Sequence, residues 1–444
     1  VLEQRKHKVL FVGLVWPEPK STAAGQNILS YISLFIDKGY EVTFACAAEK
    51  TEQSARLTRM GVKEQAIILN DSSFDTFVAN YSPDITVFDR FISEEQFGWR
   101  VSLAAPLCMK ILDCEDLHFL RDARHQAYKD ANRRDNVASN DPVASNNNVE
   151  AYLYSDICKR ELASILRCDL SILLSEYEYN LLTRTFDVPE TLLHCCPFLL
   201  SDKNTKSLKT YEQRTDFISI GSFRHAPNWD AVLTLKQNIW PSIHKALPHA
   251  RCHIYGSYLT PKAKQLENKK DGFLVHGFAE DAKEVIGNAR ILLAPLNFGA
   301  GIKGKLVDAM QCSTPSITTE IGCEGLLPTT SDTAEMQKMW PGAIHTIESS
   351  CAAFITSSIT LYANDEAWNQ ASNRSQSLYS SLFNYELQSK QLTAPIEQIR
   401  ANLSKHRQRH FLGQVLQHHT LNSSKYMSQW IEAKTRLQQA QRSN

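Results

Sequence analysis

Three clusters in this 444-residue chain combine residue types that can do chemistry. The densest runs from Pro295 to Met310, PLNFGAGIKGKLVDAM, where glycines at 299, 301 and 304 alternate with small or apolar residues and Lys303 and Lys305 flank the last glycine. A buried strand ending at Pro295 and a helix opening near Gly304 would leave free backbone N–H groups at the turn. The helix dipole, those amides and two ammonium groups together make a site for phosphate or diphosphate. A second loop, IGSFRHAPN over Ile220–Asn228, follows another strand and precedes a helix, so Gly221, Ser222 and Arg224 would point to the same side of the sheet. The third cluster is LDCEDLHFLR over Leu112–Arg121. It brings His118 together with Asp113, Glu115, Asp116 and Arg121 just after a strand end. Asp113 and Asp116 admit helix capping as well as acid/base chemistry of the kind glycoside hydrolysis uses.

The elements that must position these clusters are legible in the hydrophobic pattern. Val9 to Trp16 is a strand-length apolar run, followed by a glycine-containing loop and a helix with Ile28, Ile32, Phe35 and Ile36 on one face. Gly39 stops that helix before a second strand, Glu41–Ala47. Further strands are expected at Ile67–Leu69, Ile85–Phe88, Met109–Leu112 and Leu170–Leu174. From Asp216 onward strands and helices alternate strictly: strands at Phe217–Ile220, Cys252–Tyr255, Leu274–Val275, Ile291–Pro295 and Ser316–Thr319, with helices at Asp230–Ala246, Asp281–Asn288 and Lys305–Gln311. Such alternation indicates two α/β domains, each a doubly wound parallel sheet. Residues 1–200 form the first domain, with 129–150 a mobile loop because that polar run carries no Leu, Ile, Phe or Met. Residues 201–215 are the linker, 216–390 the second domain and 391–444 a basic helical extension.

Ten of the 17 glycines fall between Phe217 and Leu327, which concentrates close backbone approach in the second domain. The 48 basic and 48 acidic residues cancel, so no nucleic-acid-type field surrounds the chain. The balance is uneven: from Arg400 to Asn444 eight Lys or Arg face one acid, a local charge of +7. Eleven cysteines without a CxxC pair read as reduced core thiols of a cytoplasmic protein. No apolar run is long enough to span a bilayer. The basic and apolar start resembles a signal peptide but is needed as the first strand, so it is not read as one.

Residues 216–327 resemble the nucleotide-sugar domain of the GT-B glycosyltransferases of family 4, the group 1 glycosyltransferases. The likeness is carried by Gly221-Ser222 with Pro227-Asn228, Val275-His-Gly277, Ala289 to Pro295, the GAGIKGK loop, Asp308-Ala-Met310, Pro315 with Thr318-Thr319, and Gly322-Cys-Glu-Gly-Leu326. A weaker likeness covers the loop before Gly25, Leu112–Arg121, and Arg160-Glu161-Leu162 leading to Ser175-Glu176. The resemblance implies a GT-B fold, two Rossmann-like domains facing across a cleft, and retaining, metal-independent transfer of a sugar from a UDP- or GDP-sugar. It implies no cofactor, and an acceptor that is a glycan or a lipid-linked glycan.

On this resemblance the donor contacts are Gly25, Gly221, Ser222, Arg224, Gly299, Ala300, Gly301, Lys303, Lys305, Asp308 and Glu324. His118 would touch the transferred sugar or departing phosphate, with Asp113, Asp116 and Arg121 on the acceptor side. Asp308 stands where the family usually has a ribose-binding glutamate, and Ala300 where its first glutamate would be. Those two departures leave open a catalytically silent GT-B protein that binds sugar nucleotide or glycan, or scaffolds other transferases. A dehydrogenase is disfavoured, because no GxGxxG follows the first strand. The basic extension is expected to pack over the domains as helices; the functional alternative is docking to anionic lipid at the inner face of a membrane.

Overall fold

The computed structural model describes residues 6–135, 149–200, 208–328, 333–346 and 351–443. It contains two all-parallel sheets. The first has the order β3-β2-β1-β4-β5-β6-β7, with β1 Lys8–Gly13, β2 Glu41–Cys46, β3 Lys63–Ala66, β4 Ile85–Asp89, β5 Met109–Asp113, β6 Leu170–Leu173 and β7 Leu193–Cys195. The second has the order β10-β9-β8-β11-β12-β13, with β8 Thr215–Ile220, β9 Cys252–Tyr255, β10 Phe273–Gly277, β11 Ala289–Ala294, β12 Ser316–Thr318 and β13 Gly342–Ile344. Buried on both faces, the central strands are nearly continuous apolar runs, as in VLFV of β1 and ILLA of β11. Strand order reverses between β1 and β4 in one sheet and between β8 and β11 in the other. Open parallel sheets bind ligands outside the strand ends at such reversals.

Three expectations need correction. The third strand is Lys63–Ala66, not Ile67–Leu69; this edge strand pairs with β2 alone, so it is polar, while Ile68 and Leu69 stand exposed. Lys129–Asp135 is not loop, because the helix His118–Asp135 runs through it. Leu120, Ala123 and Ala127 anchor that helix in the core, and the polar residues after them mark its solvated end. The rest of the expected loop, 136–148, lies outside the described residues, as do 201–207 of the expected linker. Finally, the extension does not begin at 391. A helix, Tyr385–Ala401, returns from the second domain and inserts Leu392, Ile396 and Ile399 into the first domain's core beside Val9, Phe11 and Ile85.

Two more helices, Leu403–Arg409 and Phe411–Ser443, continue over the first domain. Arg407 reaches Asp169 at 2.7 and 2.8 Å, and Gln417 donates to the Arg167 carbonyl at 2.9 Å. All eleven cysteines are free and nine are buried. Among the described residues no helix is long and apolar enough to cross a membrane.

Candidate active site in the interdomain cleft

The carboxyl ends of β1, β4, β5, β8 and β11 surround a cavity of about 600 Å³ between the two sheets. Its second-domain wall is built from two strand-to-helix turns. After β11, residues Gly299–Lys303 lead into the helix Gly304–Gln311, whose N-cap residue Lys303 supplies no side-chain acceptor. After β8, residues Gly221–His225 lead into the helix Ala226–Thr234, whose N-cap His225 likewise caps nothing with its side chain. Two helix N-termini thus open toward the cavity without an internal side-chain cap, each favouring an anion by about 0.3–1 kcal/mol.

Asn228 ties these turns together. Its amide nitrogen donates to the Ser222 carbonyl at 3.1 Å, and its Oδ1 accepts from Lys305 Nζ at 2.7 Å. Gly221 has to be glycine here, since a Cβ would lie 2.6 Å from Asn228 Nδ2. Arg224 lies over the Tyr258 ring with its guanidinium carbon 3.7 Å from the centroid. Tyr258 in turn crosses the cleft, donating its hydroxyl to Glu18 at 2.7 Å.

The first-domain wall carries His118, Asp116, Arg121, Arg90 and Glu115. His118 opens its helix, and that N-terminus is capped from a distance: Glu161 accepts the backbone N–H groups of His118 at 3.1 Å and Phe119 at 2.9 Å. The imidazole stands edge-on to Phe91, with ring centroids 5.3 Å apart, and its Nε2 is 3.8 Å from Asp116 Oδ1. Asp116 also forms an ion pair with Arg121. Arg90 follows β4 directly with φ 67°, a left-handed conformation rare for a non-glycine residue, and faces Asp89 at 3.5 Å.

Charge states follow from burial and neighbours. Burial lowers His118 to about 4 against the pull of Asp116, so its imidazole is neutral at pH 7. Burial also opposes the charge of Asp116, yet Arg121 and His118 outweigh it and hold the carboxyl down at about 2. On the opposite wall burial drives Lys305 down to about 7 and lifts Asp308 to about 6, and it lowers Lys303 as well. The second-domain wall therefore holds cationic groups short of compensation, which is the condition in which an added diphosphate gains most.

The structure brings together on this cavity His118, Asp116, Arg121, Gly221, Ser222, Arg224, Gly299, Ala300, Lys303, Lys305 and Asp308. Four other expected residues stand behind its walls. Gly25 packs on the Glu18 backbone, and its N–H is bound by Thr22 Oγ1 at 3.0 Å. Asp113 is fully buried at the end of β5. Gly301, at φ 63°, lies against Asp116, whose Cβ would be 2.7 Å from an added Cβ. Glu324 is engaged by Arg124, at 2.9 and 2.6 Å.

Several residues of the site escape sequence reading: Glu18, Tyr258, Arg90, His225 and Asn228 on the cavity, Arg124 and Glu178 behind it. His225 and Asn228 sit in a loop already singled out, and Arg90 could have been found from its place directly after a strand. Glu18, Tyr258, Arg124 and Glu178 did not stand out, because the partners they meet across the cleft lie more than 100 residues away in sequence.

Residues 214–338 match the family model described as glycosyl transferases group 1. The second domain is a group 1 glycosyltransferase domain. No curated protein matches the chain in sequence. Solved structures do match it in fold. Anabaena Alr3699/HepE, crystallised with UDP and glucose, superposes with a TM-score of 0.62 at 11% identity, over 88% of this chain and 99% of that one. Sucrose-phosphate synthase from Thermosynechococcus elongatus gives 0.61 at 13% identity, over 89% and 100%. S. aureus TarM gives 0.62 at 9%, over 87% and 98%. At such identities the likeness is one of fold: the glycosyltransferase domain sits in a GT-B architecture, two parallel sheets facing across a cleft with helices returning to the first.

Proposed function

We propose that this protein is a retaining, metal-independent glycosyltransferase that moves a sugar from a UDP- or GDP-sugar to a glycan or lipid-linked glycan. The observation that carries the reading is the convergence of two side-chain-uncapped helix N-termini, Lys303, Lys305 and Arg224 on one wall of the cleft, opposite a neutral His118. UDP in the Anabaena neighbour and UDP with glycan ligands in S. aureus TarM support a nucleotide-sugar donor. In this reading the diphosphate lies along Gly299–Lys303, and Asp308, one turn into the helix, meets the ribose. When the bond between the anomeric carbon and the diphosphate oxygen breaks, charge builds on the diphosphate, where amides and ammonium groups already point. The acceptor hydroxyl bonds to the anomeric carbon from the same face, and its proton passes to the departing diphosphate. Neutral His118 hydrogen-bonds a sugar hydroxyl or the departing phosphate rather than titrating near pH 6.5. Ala300 supplies no carboxylate, so the second domain offers no nucleophile at that position.

Calorimetry with a panel of nucleotides, followed by donor turnover, tests the reading. UDP or GDP should bind, and Lys303→Ala should weaken binding by about 1.5–3 kcal/mol, the worth of a hydrogen bond to a charged group. Binding without turnover for any acceptor would favour the silent GT-B protein. A specific observation also favours the lipid-docking role of the extension. In the helix Phe411–Ser443, Leu412, Tyr426, Trp430 and Leu437 are each more than half exposed and share one face, turned away from the buried Gly413 and Ser428. Lys434 lies 5.1 Å from the Trp430 ring centroid. Aromatic, apolar and cationic groups in one stripe suit the headgroup region of an anionic bilayer.

A further inference from the structure

The Gly299–Lys303 turn belongs to the second domain, yet two of its backbone groups are held by the first. Arg124, on the helix that begins at His118, donates from Nη1 to the Gly299 carbonyl at 2.7 Å. The same guanidinium grips Glu324 of the second domain through both oxygens, at 2.9 and 2.6 Å. Both side chains are nearly sealed from solvent, at 8% and 11% exposure, and Arg124 lies 4.9 Å from the centroid of Tyr177. Glu178 makes the second tie: its Oε1 accepts the Gly301 N–H at 3.1 Å and the Leu117 N–H at 2.8 Å, while Oε2 accepts from Ser175 at 2.9 Å. One carboxylate therefore joins the diphosphate turn to the residue preceding His118.

A turn containing two glycines has many conformations open to it, and fixing one costs entropy. Here the groups that fix it come from across the cleft. We infer that Arg124 and Glu178 are positioning residues: reaching from the first domain, they set the diphosphate turn in its binding shape. The inference rests on the reading of Gly299–Lys303 as the diphosphate site. It assigns Glu324 a role through Arg124 rather than on the donor itself. A planar fork that engages a carboxylate and a carbonyl together is something arginine provides and lysine does not.

The test uses the full chain, with UDP as ligand. Replacing a buried ion pair by apolar residues tends to spare stability, so the double variant Arg124→Met/Glu324→Leu removes the grip on Gly299 while keeping the fold. Its UDP affinity should fall at least tenfold, with KM for donor rising far more than kcat falls. Arg124→Lys should fall between wild type and the double variant. If the double variant does not fold, Arg124→Lys carries the test alone, with a severalfold loss expected. Lys303→Ala separates the two ideas. If Lys303→Ala weakens UDP binding while the Arg124 variants bind like wild type with an unchanged KM, the positioning role is overturned and the diphosphate site stands. If Lys303→Ala also binds like wild type, the site reading itself falls.

Discussion

Lys305 offers a quantitative test of the proposed diphosphate wall, because burial brings it to about 7. Its amine can remain neutral there, donating to Asn228 Oδ1 at 2.7 Å. A diphosphate placed beside it favours the ammonium form and raises its pKa. Binding then takes up a proton, so affinity must fall as pH rises through 7 and level off above the pKa of the complex. If only protonated Lys305 contributes fully, the competent fraction drops from about 0.9 at pH 6 to about 0.1 at pH 8, a tenfold loss of affinity worth about 1.4 kcal/mol. The ligand should be an intact UDP-sugar, since the terminal phosphate of UDP titrates near 6 and would oppose the trend. Calorimetry at pH 7 in two buffers of different ionisation enthalpy should register uptake of about half a proton from this residue. Lys303 is also lowered by burial, and Asp308, lifted to about 6, gains charge over pH 5–7, so the background needs isolating. Lys305→Met isolates it: the variant should bind weakly already at pH 6 and lose the fall between pH 7 and 8. An affinity independent of pH in the wild type, or a fall that survives unchanged in Lys305→Met, would refute the placement of the diphosphate beside Lys305.

The remaining expectations concern other parts of the cleft and the extension. Gly301→Ala places a Cβ 2.7 Å from that of Asp116 at φ 63°, adding about 1–2 kcal/mol of left-handed strain to the clash, and should weaken UDP binding tenfold or more by calorimetry. His118→Ala should lower kcat at saturating donor by about 10²-fold with UDP affinity within twofold of wild type, the signature of a contact that matters in the transition state. Because His118 sits near 4, the wild-type kcat profile should show no histidine inflection at pH 6–7; one that disappears in His118→Ala would contradict its neutral state. Replacing Tyr426, Trp430 and Leu437 by serine on the outer face of the last helix should abolish co-sedimentation with vesicles containing anionic lipid and leave turnover of a soluble acceptor unchanged. Equal sedimentation of variant and wild type would remove the lipid role.

The fold was legible because its signals are local and period-bound. The β8 to β12 region could be read strand by strand: buried parallel strands are short apolar runs, and each is bounded by a turn and a helix of opposite periodicity. Three of the four edge strands broke that rule, β10 being the exception. β3 is KEQA, β7 is LHC and β13 is GAI, too short or too polar to stand out, and each pairs on one side only. The helix end at Lys129–Asp135 misled for the opposite reason, since composition reports solvation and a solvated helix looks like a loop. The route of the extension back into the first core was not visible either. Leu392, Ile396 and Ile399 have helical spacing, but spacing does not say which sheet they meet.

The candidate site divides along the same line. The cavity-lining residues Lys303, Lys305, Arg224, Gly221 and Gly299 were legible from their own loops. Residues whose task is to relate one domain to the other were not, because the information is in the pairing. Arg124 is an unremarkable cation in a polar helix until Glu324 and the Gly299 carbonyl are set against it, 200 and 175 positions away. Glu178 reads as a capping acid of its own helix until the Gly301 N–H reaches it. On the proposed reading the loop motif carries the donor contacts, while the shape of that loop is held from the opposite domain. A GT-B chain could therefore keep its GAGIKGK motif intact and still lose the donor through substitutions at Arg124 or Glu178. Donor affinity in Arg124→Lys, read beside that of Lys303→Ala, measures how much of the site resides outside the motif that announces it.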